Sequence, residues 1–443
     1  MTLGTRRRPV AVDLYAGAGG LSYGAERAGF DVVAAAEFDP VHALVHRYNM
    51  PNTPVLCRDL SQGSPEEVAA EIVRHAQAGM IEHGRADEEL SIDAIVGGPP
   101  CQGFSVGGVR DIGDERNNQL LRFVDLVVEI QPRVFCLENV AGLLEPRFKE
   151  LRKEAVRRLT VNGGYVLSGF DHVVNAVGFG VPQSRRRVLV LGSRSAEAPV
   201  LEAPSSSRVT VAEAFDGLPE LAKYRRLLTT DEVQLDDEDL THLLGAESQY
   251  AQTLVGGAVD SSDLGAPRRY DPALLTGSLR TVHTKKTVQR FARTPQGEAE
   301  KVSRLFRLSL EGQARTLRAG TGTDRGSHTS PRPIHPVKNR VITVREAARL
   351  HGYPDWFRFN TTNWHGHRQV GNSVPPPLAA AAGRALLAAL GIDGLLRPTD
   401  SVTLGNPAWL SFNGTQARAE LLRQSGNWLQ EAGSKSPAQE ARA

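Results

Sequence analysis

The chain has 443 residues, of which 52 are basic and 50 acidic, for a formal net charge of +2. This length predicts two or three domains and a large core, and the composition excludes collagenous, coiled-coil and disordered chains. The three cysteines, Cys57, Cys101 and Cys136, are widely spaced and form no CxxC pair, which excludes a disulfide framework and a zinc knuckle and indicates a reducing compartment.

The sequence indicates neither export nor membrane insertion. No apolar leader follows Arg6, Arg7 and Arg8, and Arg384 interrupts the longest apolar run, at 378–392. We therefore expect a cytoplasmic protein. The near-zero net charge argues against nucleic-acid binding, because such proteins usually carry a basic excess, but a whole-chain sum can hide regions of opposite sign.

Short apolar segments alternate with longer amphipathic ones up to about residue 195. This alternation is typical of the strands and crossover helices of an open, Rossmann-like α/β sheet. The predicted strands lie at 10–16, 31–37, 53–57, 93–97, 133–139 and 187–193. Amphipathic helices are predicted between them, one of which stops before Pro132.

Charge separates between residues 200 and 335, where the regular alternation fades. Nine acidic residues and no Lys or Arg lie from Thr229 to Asp263. From Ala266 to Arg340, 16 basic residues face 5 acidic ones, a local net charge of +11 (16 − 5). The whole-chain charge is therefore a cancellation and no longer excludes nucleic acid. The basic segment is either a solvated surface or a contact for phosphates and base edges.

Regular structure is predicted again from Thr343, which forms a capping-box pattern with Glu346. A last helix follows the prolines at 375–377 and runs to about Gly391, and a poorly ordered tail is expected beyond residue 395. These patterns divide the chain into segments at 1–200, 201–335, 336–395 and 396–443. We expect the first and third to form one domain around the second.

A glycine-rich turn from Asp13 to Leu21 joins the first strand to the first helix. Such a turn lets the backbone approach a ligand, and Glu37 at the end of the next strand can accept the hydroxyls of a ribose. Phe38 can stack on a base, and Asp59 suits an exocyclic amine. A tight connection that binds nothing, with Asp59 as a helix cap, explains the same residues.

Cys101 lies in a Gly- and Pro-rich loop after the strand at 93–97, at the sheet edge where α/β folds bind ligands. An accessible cysteine becomes a nucleophile where cations or helix amides favour its thiolate. A structural loop cysteine is the alternative. Cys57 and Cys136 lie within apolar strands and are interpreted as packing residues.

Glu138 and Asn139 end the next predicted strand at the same sheet edge. A carboxyl group there can donate a proton to a ring nitrogen or can be a simple ion-paired strand end. Arg185 and Arg187 alternate with Arg186, so that the first two share one face of the following strand. Two arginines on one face suit an oxygen or a phosphate, although such a run is more often a solvated turn.

In their order along the chain, these elements resemble the cytosine-5 DNA methyltransferase family. The resemblance covers roughly residues 10 to 392 and rests on the blocks DLYAGAGG, EFD, RD, GGPPCQGFS, ENV, QSRRR, REAARLHGYPD and QVGNSVPPP. It implies an α/β fold with a Rossmann-like S-adenosylmethionine-dependent methyltransferase sheet and a smaller, irregular target-recognition domain at 201–335. The acidic stretch and the segment after 395 match no part of the family.

The resemblance also implies a role for each matching residue. Cys101 would be the nucleophile, Glu138 the acid that holds the base, and Arg185 and Arg187 the arginines at the base carbonyl and the thiolate. The implied S-adenosylmethionine pocket comprises Tyr15, Gly17, Gly19, Gly20, Leu21, Glu37, Phe38, Asp59, Pro99, Asn372 and Ser373. The implied contacts to DNA are Gln102, Ser105, Arg290 and Arg293. Tyr15 stands where the family more often has phenylalanine.

The implied reaction is methylation of carbon 5 of a specific cytosine in double-stranded DNA, through a covalent cysteine adduct on a flipped base. No metal is expected, and the protein is expected to be a monomer. A restriction endonuclease acting on the same site is the expected partner. Two alternatives stay open: a tRNA cytosine-5 methyltransferase, whose Cys-Phe-Thr signature follows none of the three cysteines here, and a catalytically silent DNA-binding regulator. We also expect the acidic stretch to lie away from the DNA.

Overall fold

A mixed sheet forms the centre of the protein in a computed structural model that describes residues 7–100, 118–203, 208–258, 260–320 and 332–434. The strands of the described residues are β1 (Val10–Leu14), β2 (Asp31–Glu37), β3 (Val55–Cys57), β4 (Ala94–Gly97), β5 (Val134–Val140), β6 (Val166–Ser168), β7 (Val174–Asn175), β8 (Gln183–Ser184), β9 (Arg186–Ser193), β10 (Val233–Gln234), β11 (Arg268–Arg269), β12 (Leu274–Leu275), β13 (Ala314–Arg315) and β14 (Val402–Thr403). The six strands predicted from apolar periodicity are confirmed as β1 to β5 and β9.

The α-helices connect and cover these strands. They are α1 (Gly20–Ala28), α2 (Pro40–Asn49), α3 (Pro65–Glu82), α4 (Asn118–Ile130), α5 (Lys149–Arg157), α6 (Val211–Phe215), α7 (Asp237–Leu244), α8 (Gln249–Leu254), α9 (Lys285–Ala292), α10 (Val344–Arg349), α11 (Asn363–Asn372), α12 (Pro376–Ala389) and α13 (Gly414–Ser434). The predicted capping box is confirmed at α10, where the side chains of Thr343 and Glu346 each accept the other residue's backbone N–H.

The sheet has the order β3-β2-β1-β4-β5-β9-β6, and β7 pairs with β9. Strands β1 to β5 are parallel, whereas β6, β7 and β5 all run antiparallel to β9. The connections change direction between β1 and β4, which lie side by side. Ligands of open α/β sheets bind outside the carboxyl ends of the strands at such a switch point, so the loops after β1 and β4 occupy the position expected of a site.

Apolar side chains cover both faces of the sheet. On one face, Phe123 of α4 and Ile72 of α3 pack with Phe135 of β5. On the other, Phe30, which precedes β2, packs with Leu378 and Leu386 of α12. These residues are almost fully buried. Helix α12, close to the end of the matched family blocks, thus completes the layer that α1 begins.

The described residues between 208 and 340 are built differently from the sheet. Their strands are two residues long and form small pairs, and β13 pairs in parallel with β8. The apolar clusters are small, with Leu227 and Leu275 in one and Phe291 in another. Hydrogen bonds from buried arginines to backbone carbonyls also hold this region together. Arg307, for example, donates to the carbonyls of Phe291 and Pro336. The structure therefore agrees with the irregular architecture that was expected for this part of the chain.

The expectation of a poorly ordered tail after residue 395 is wrong for the described part of that segment. β14 pairs with β11, and α13 packs against α2 and α3. Ala417 and Leu421 are buried among Val41, Leu44 and Val55. The sequence offered little sign of this helix, because only these few apolar side chains hold an otherwise polar segment against the edge of the sheet. In the part of the chain that the structure describes, no helix is both long and apolar enough to cross a bilayer.

Candidate active site

The glycine-rich turn after β1 has the open backbone that a close ligand requires. Gly17 and Gly19 have φ angles of 57° and 103°, in the left-handed region that glycine adopts without strain. Among the described residues other than its two chain neighbours, none has a heavy atom within 4 Å of the position that a Cβ would take on Gly17. Leu21, in the first turn of α1, is buried beneath this turn. The turn therefore has room for a ligand over Gly17.

Glu37 closes the side of this turn at the end of β2. Its carboxylate accepts the backbone N–H of Gly17 at 2.8 Å and that of Asp39 at 2.8 Å. These two bonds fix the carboxylate at the carboxyl edge of the sheet, as the interpretation of Glu37 as a ribose acceptor requires. The ring of Phe38 next to it is 62% exposed, which leaves an aromatic face available for stacking.

Two segments far apart in the sequence, at Gly20 and at 373–374, meet at the start of α1. A Cβ on Gly20 would lie 2.5 Å from the carbonyl oxygen of Val374 and 3.1 Å from Cβ of Ser373. Only glycine fits this approach. Asn372 is exposed at the end of α11, and Ser373 is buried with its hydroxyl donating to the carbonyl of Val370. The structure thus brings Ser373, next to the end of α11, against the start of α1, and the cofactor role that the resemblance implies for Asn372 and Ser373 stays a prediction.

The other predicted cofactor residues surround the same edge. Tyr15 has φ 61°, and its hydroxyl donates to the side-chain oxygen of Gln119 at 2.8 Å. Asp59 accepts the N–H and the hydroxyl of Ser61 in a local turn. The alternative that Asp59 caps a helix is wrong, because the N-cap of α3 is Ser64. Pro99 is buried, and its carbonyl accepts the side-chain amide of Asn139 at 3.4 Å.

Glu138 and Arg187 form a buried ion pair on neighbouring strands. Nε of Arg187 lies 2.5 Å from Oε1 of Glu138, and the side chain of each is 11% exposed. Oε2 of Glu138 lies 3.1 Å from the position of a Cβ on Gly98, in the loop that leads toward Cys101. The structure therefore places a carboxyl group and a guanidinium together at the carboxyl end of β4 and β5.

Arg185 shares the face of Arg187 but has different partners. Its guanidinium donates to the carbonyls of Leu317, Gly371 and Ser373 at 3.1, 2.9 and 2.8 Å. Arg185 is 1% exposed and Arg186 is exposed, so the predicted alternation is confirmed. The sequence did not predict the bonds to backbone carbonyls, because their acceptors are more than 130 residues away along the chain.

Cys101, Gln102 and Ser105 lie outside the described residues, and their roles stay predictions. The other two cysteines lack the surroundings of a nucleophile. Burial raises the pKa of the Cys136 thiol, and it raises that of the half-buried Cys57 to about 11. Both thiols therefore stay protonated at neutral pH, which agrees with their interpretation as packing residues.

A buried polar chain lies beneath the glycine-rich turn and was not predicted from the sequence. Asp13 accepts the N–H of Ser22 at 3.0 Å and its hydroxyl at 2.6 Å, and the hydroxyl oxygen of Ser22 lies 2.8 Å from Nε2 of His46. Burial raises the pKa of Asp13 to about 7 and lowers that of His46 to about 3. The sequence feature that could have indicated this chain is an acidic residue, Asp13, within the apolar strand β1. No feature of the sequence singles out His46.

The predicted DNA contacts in the basic segment lie at the end of α9. Arg293 is exposed, whereas Nε of Arg290 lies 3.8 Å from a carboxylate oxygen of Glu300. Acids of the preceding stretch are partly neutralised by local partners. Asp263 accepts from Arg27 of α1 at 2.8 Å. The two stretches of opposite charge therefore have different surroundings, and the contact with DNA stays a prediction.

These residues fit a nucleoside-containing cofactor. The open Gly17, the carboxylate of Glu37 and the exposed ring of Phe38 lie in sequence along one edge, which is the donor set and shape that an adenosine needs. The wall formed by Asn372 and Ser373 lies against the opposite end of the turn. The same residues bind S-adenosylmethionine according to the family resemblance.

The chain is similar to known proteins over most of its length. The sequence matches the family model described as C-5 cytosine-specific DNA methylase over residues 10–388. It is 43% identical over 413 residues to the type II methyltransferase M.XorII of Xanthomonas oryzae, over 93% of this chain and 92% of that relative. It is 28% identical over 402 residues to the type II methyltransferase M.DdeI of Desulfomicrobium norvegicum, over 84% of this chain and 86% of that relative.

Solved structures give the same fold. A prophage-encoded protein of E. coli, assigned as a DNA modification methyltransferase, is similar with a TM-score of 0.67 and 31% identity, over 87% of this chain and all of that one, 100%. The methyltransferase EhMeth of Entamoeba histolytica shares the fold with a TM-score of 0.53 and 15% identity, over 87% of this chain and 99% of that one. The span matched by the family model contains every predicted site residue.

Proposed function

Because the chain belongs to the C-5 cytosine-specific DNA methylase family, we propose that it methylates one cytosine within a specific sequence of double-stranded DNA through a covalent adduct with Cys101. Its enzyme class is DNA (cytosine-5-)-methyltransferase, and the family is S-adenosylmethionine-dependent. The observation that carries the proposed mechanism is the Glu138–Arg187 pair beside Gly98, at the switch point of the sheet.

Carbon 5 of cytosine is a poor nucleophile, so the ring must be activated before it can accept a methyl group. Glu138 must carry a proton when the base is bound. The thiolate of Cys101 then adds to carbon 6 while the protonated Glu138 gives that proton to ring nitrogen 3, which makes carbon 5 the electron-rich end of an enamine. After carbon 5 has been methylated, it loses its proton to solvent. The Cys101–carbon 6 bond then breaks, the thiolate returns, and nitrogen 3 gives its proton back to Glu138.

Arg187 holds the Glu138 carboxyl group in place for this exchange. A charge-assisted contact at 2.5 Å fixes one carboxyl oxygen and leaves the other, which points toward Gly98, for the base. The guanidinium is also suited to the base carbonyl. Arg185 supports the neighbouring backbone, and we retain for it the predicted position near the thiolate.

The cofactor pocket is assigned to the edge between the glycine-rich turn and the turn at 372–373. Glu37 would hold the ribose, Phe38 the adenine ring, and Asp59 its exocyclic amine. Tyr15, Pro99, Asn372 and Ser373 would complete the walls. When bound, S-adenosylmethionine supplies an electrophilic methyl group. No metal takes part in the proposed reaction.

Carbon 6 is stacked inside the duplex, so the target base must be flipped out at a cost on the order of a few kcal/mol. We assign the grip on the duplex to a recognition domain at 201–335, inserted between the parts of the catalytic domain at 1–200 and 336–395. Its local charge of +11 between Ala266 and Arg340 supports phosphate contacts, with Arg290 and Arg293 as candidates and Gln102 and Ser105 at the flipped base.

We propose a biological role in a type II restriction-modification system, where methylation protects the recognised sequence from an endonuclease. The similarity to M.XorII and M.DdeI over most of each chain supports this role. The endonuclease would act on the same sequence without forming a stable complex. The enzyme would work as a monomer in the cytoplasm.

A methylation assay tests the proposed function. The protein is incubated with labelled S-adenosylmethionine and either a duplex DNA library or tRNA, and the products are sequenced for 5-methylcytosine. We expect label in one cytosine of a short repeated sequence in DNA, complete loss in Cys101→Ala, and retention in the matched control Cys57→Ala. Label confined to tRNA, or an active Cys101→Ala, would contradict the proposal.

A further inference from the structure

A buried polar network connects the turn at 371–373 to a segment of the basic region. Gln183 lies in the short strand β8, and Arg185 lies between β8 and β9. Both side chains are buried, as is that of His351 after α10. Arg185 binds the carbonyls of Leu317, Gly371 and Ser373. One guanidinium therefore holds backbone from two distant parts of the chain.

Gln183 makes the second connection. Its side-chain oxygen accepts the N–H of Leu317 at 3.0 Å, and its side-chain nitrogen donates to the carbonyl of Leu350 at 3.2 Å and to Nδ1 of His351 at 2.8 Å. Leu317 thus has its N–H bound by Gln183 and its carbonyl bound by Arg185. Both bonds are added to the β-pairing of Ala314 and Arg315 with β8.

His351 makes the third connection. Since Nδ1 accepts from Gln183, the proton lies on Nε2, which donates to the carbonyl of Ser373 at 3.0 Å. Burial lowers the pKa of His351 well below its usual value, so the ring stays in this neutral form. The carbonyl of Ser373 therefore accepts from both His351 and Arg185.

The two segments that the network joins also touch directly. A Cβ on Gly371 would lie 2.6 Å from the backbone nitrogen of Ala319 and 2.6 Å from the carbonyl carbon of Arg318. Backbone packs on backbone here without an intervening side chain. A shift of the segment 314–320 by as little as about an ångström must break bonds to Arg185 or Gln183 or displace the turn at 371–373, because packed interiors have little slack.

We propose that Gln183, Arg185 and His351 are positioning residues that couple the segment 314–320 to the cofactor wall at 371–373, so that DNA and cofactor bind cooperatively. This inference depends on the proposed function, which assigns the basic region to DNA and the turn at 371–373 to the cofactor. DNA that orders the segment would order the wall through the three side chains. By thermodynamic linkage, the cofactor strengthens DNA binding by the same factor.

The experiment measures the dissociation constant of S-adenosylhomocysteine by calorimetry, for the full chain, with and without a duplex that carries the mapped recognition sequence. The ratio of the two constants is the coupling factor. Couplings of this kind are typically on the order of 5-fold to 150-fold, and we expect the wild-type factor to be about 5-fold or more. A loss of stability alone would lower the melting temperature and leave the ratio unchanged.

His351→Phe removes both ring nitrogens and keeps an aromatic ring against Tyr353, on which His351 stacks at 6.0 Å. We expect its coupling factor to fall to less than about 2-fold. His351→Gln can still accept from Gln183 and donate to Ser373, and we expect it to restore the factor. His75→Phe is the matched control, because His75 is also buried but lies on α3, bound to the carbonyl of Glu71; it should behave as wild type.

The inference is overturned if the coupling factor of the wild-type protein is one. It is also overturned if His351→Phe has the same coupling factor as the wild-type protein. If His351→Phe does not fold, Gln183→Met replaces it with the same expected result and the same contradiction. Failure of the proposed function has a different signature: wild-type protein would then bind no S-adenosylhomocysteine or no duplex at all. Independent binding of both ligands contradicts only the coupling.

Discussion

The sheet and the region at 208–340 are held together in different ways. In the sheet, large buried apolar side chains pack on both faces, with Phe123 and Phe135 on one face and Phe30 on the other. In the region at 208–340, the apolar clusters are small, and buried arginines such as Arg307 bind backbone carbonyls. The first arrangement resists local opening because every strand shares one core, whereas the second consists of small units whose opening costs less.

This difference matches the two tasks of the enzyme. Bond making at Glu138 and Arg187 needs fixed positions, and these residues lie on adjacent strands of the extensive core. Recognition of a duplex needs a surface that can adjust, and we propose this task for the basic region, where Arg293 is exposed. The predictions below test this division, from the largest expected effect to the smallest.

Replacing the proposed acid should slow methyl transfer without unfolding the protein. Glu138→Gln keeps the shape of the side chain and removes the transferable proton, so we expect kcat to fall by about 10²-fold to 10⁴-fold with S-adenosylhomocysteine binding retained. The exposed Glu129, on α4, is the matched control as Glu129→Gln. Single-turnover methylation measures the effect. A Glu138→Gln enzyme within a few-fold of wild type would show that the carboxyl group is not the proton donor.

Equivalent truncations in the two regions should have different consequences. Phe135→Ala and Phe291→Ala each remove a buried ring, at a local cost of about 3–5 kcal/mol. Because Phe135 belongs to the central core, its loss should lower the free energy of unfolding of the whole protein and weaken S-adenosylhomocysteine binding. Phe291→Ala should speed hydrogen exchange at 285–307 and weaken DNA binding alone. Equal loss of cofactor binding in both variants would refute the division.

Asp13 should make the sheet less stable as pH rises. Its pKa is about 7 in the folded state against an ordinary 3.8, so the folded state binds the extra proton between these values and its stability falls across that window. Asp13→Asn cannot titrate and still accepts from Ser22. Urea unfolding between about pH 4 and 7 should therefore show a flatter profile for the variant, by about 1.4 kcal/mol for each pH unit in that window. Parallel profiles would contradict the protonation of Asp13.

Arginines of the basic region should contribute to DNA affinity through phosphates. Removing one phosphate contact lowers the slope of log affinity against log salt by about 0.9. We expect this change for Arg293→Ala and a smaller one for Arg290→Ala, whose guanidinium also faces Glu300. Arg423→Ala, on α13 and paired with Glu420, is the control. Salt slopes identical to wild type in both arginine variants would remove α9 from the DNA interface.

The elements that could be predicted are those marked by a pattern among residues close together in the sequence. The six strands follow from local apolar periodicity, and the start of α10 from the spacing of Thr343 and Glu346. The helix α13 was missed because, among its described side chains at 414–426, the buried apolar ones are Ala417 and Leu421. Such sparse contacts leave no periodic pattern.

The site shows the same limit. The positions of Glu37 and Glu138 follow from strand order, because parallel strands end at one edge of the sheet. Arg187 lies at the same edge because β9 runs antiparallel to β5 and begins there. The partners of Arg185 and the chain from Asp13 to His46 are set by contacts between segments far apart in sequence. No local pattern encodes such contacts, and only the folded structure shows them.

Trapping the adduct between Cys101 and the target base tests the covalent step directly. The enzyme is incubated with S-adenosylmethionine and a duplex in which the target cytosine carries fluorine at carbon 5. After methyl transfer no proton remains on carbon 5, so the thiolate cannot be expelled and the adduct persists. Mass spectrometry of the digested complex should find methylated 5-fluorocytosine on the peptide that contains Cys101. Methylated DNA without any adduct, or an adduct on Cys57 or Cys136, would contradict the account.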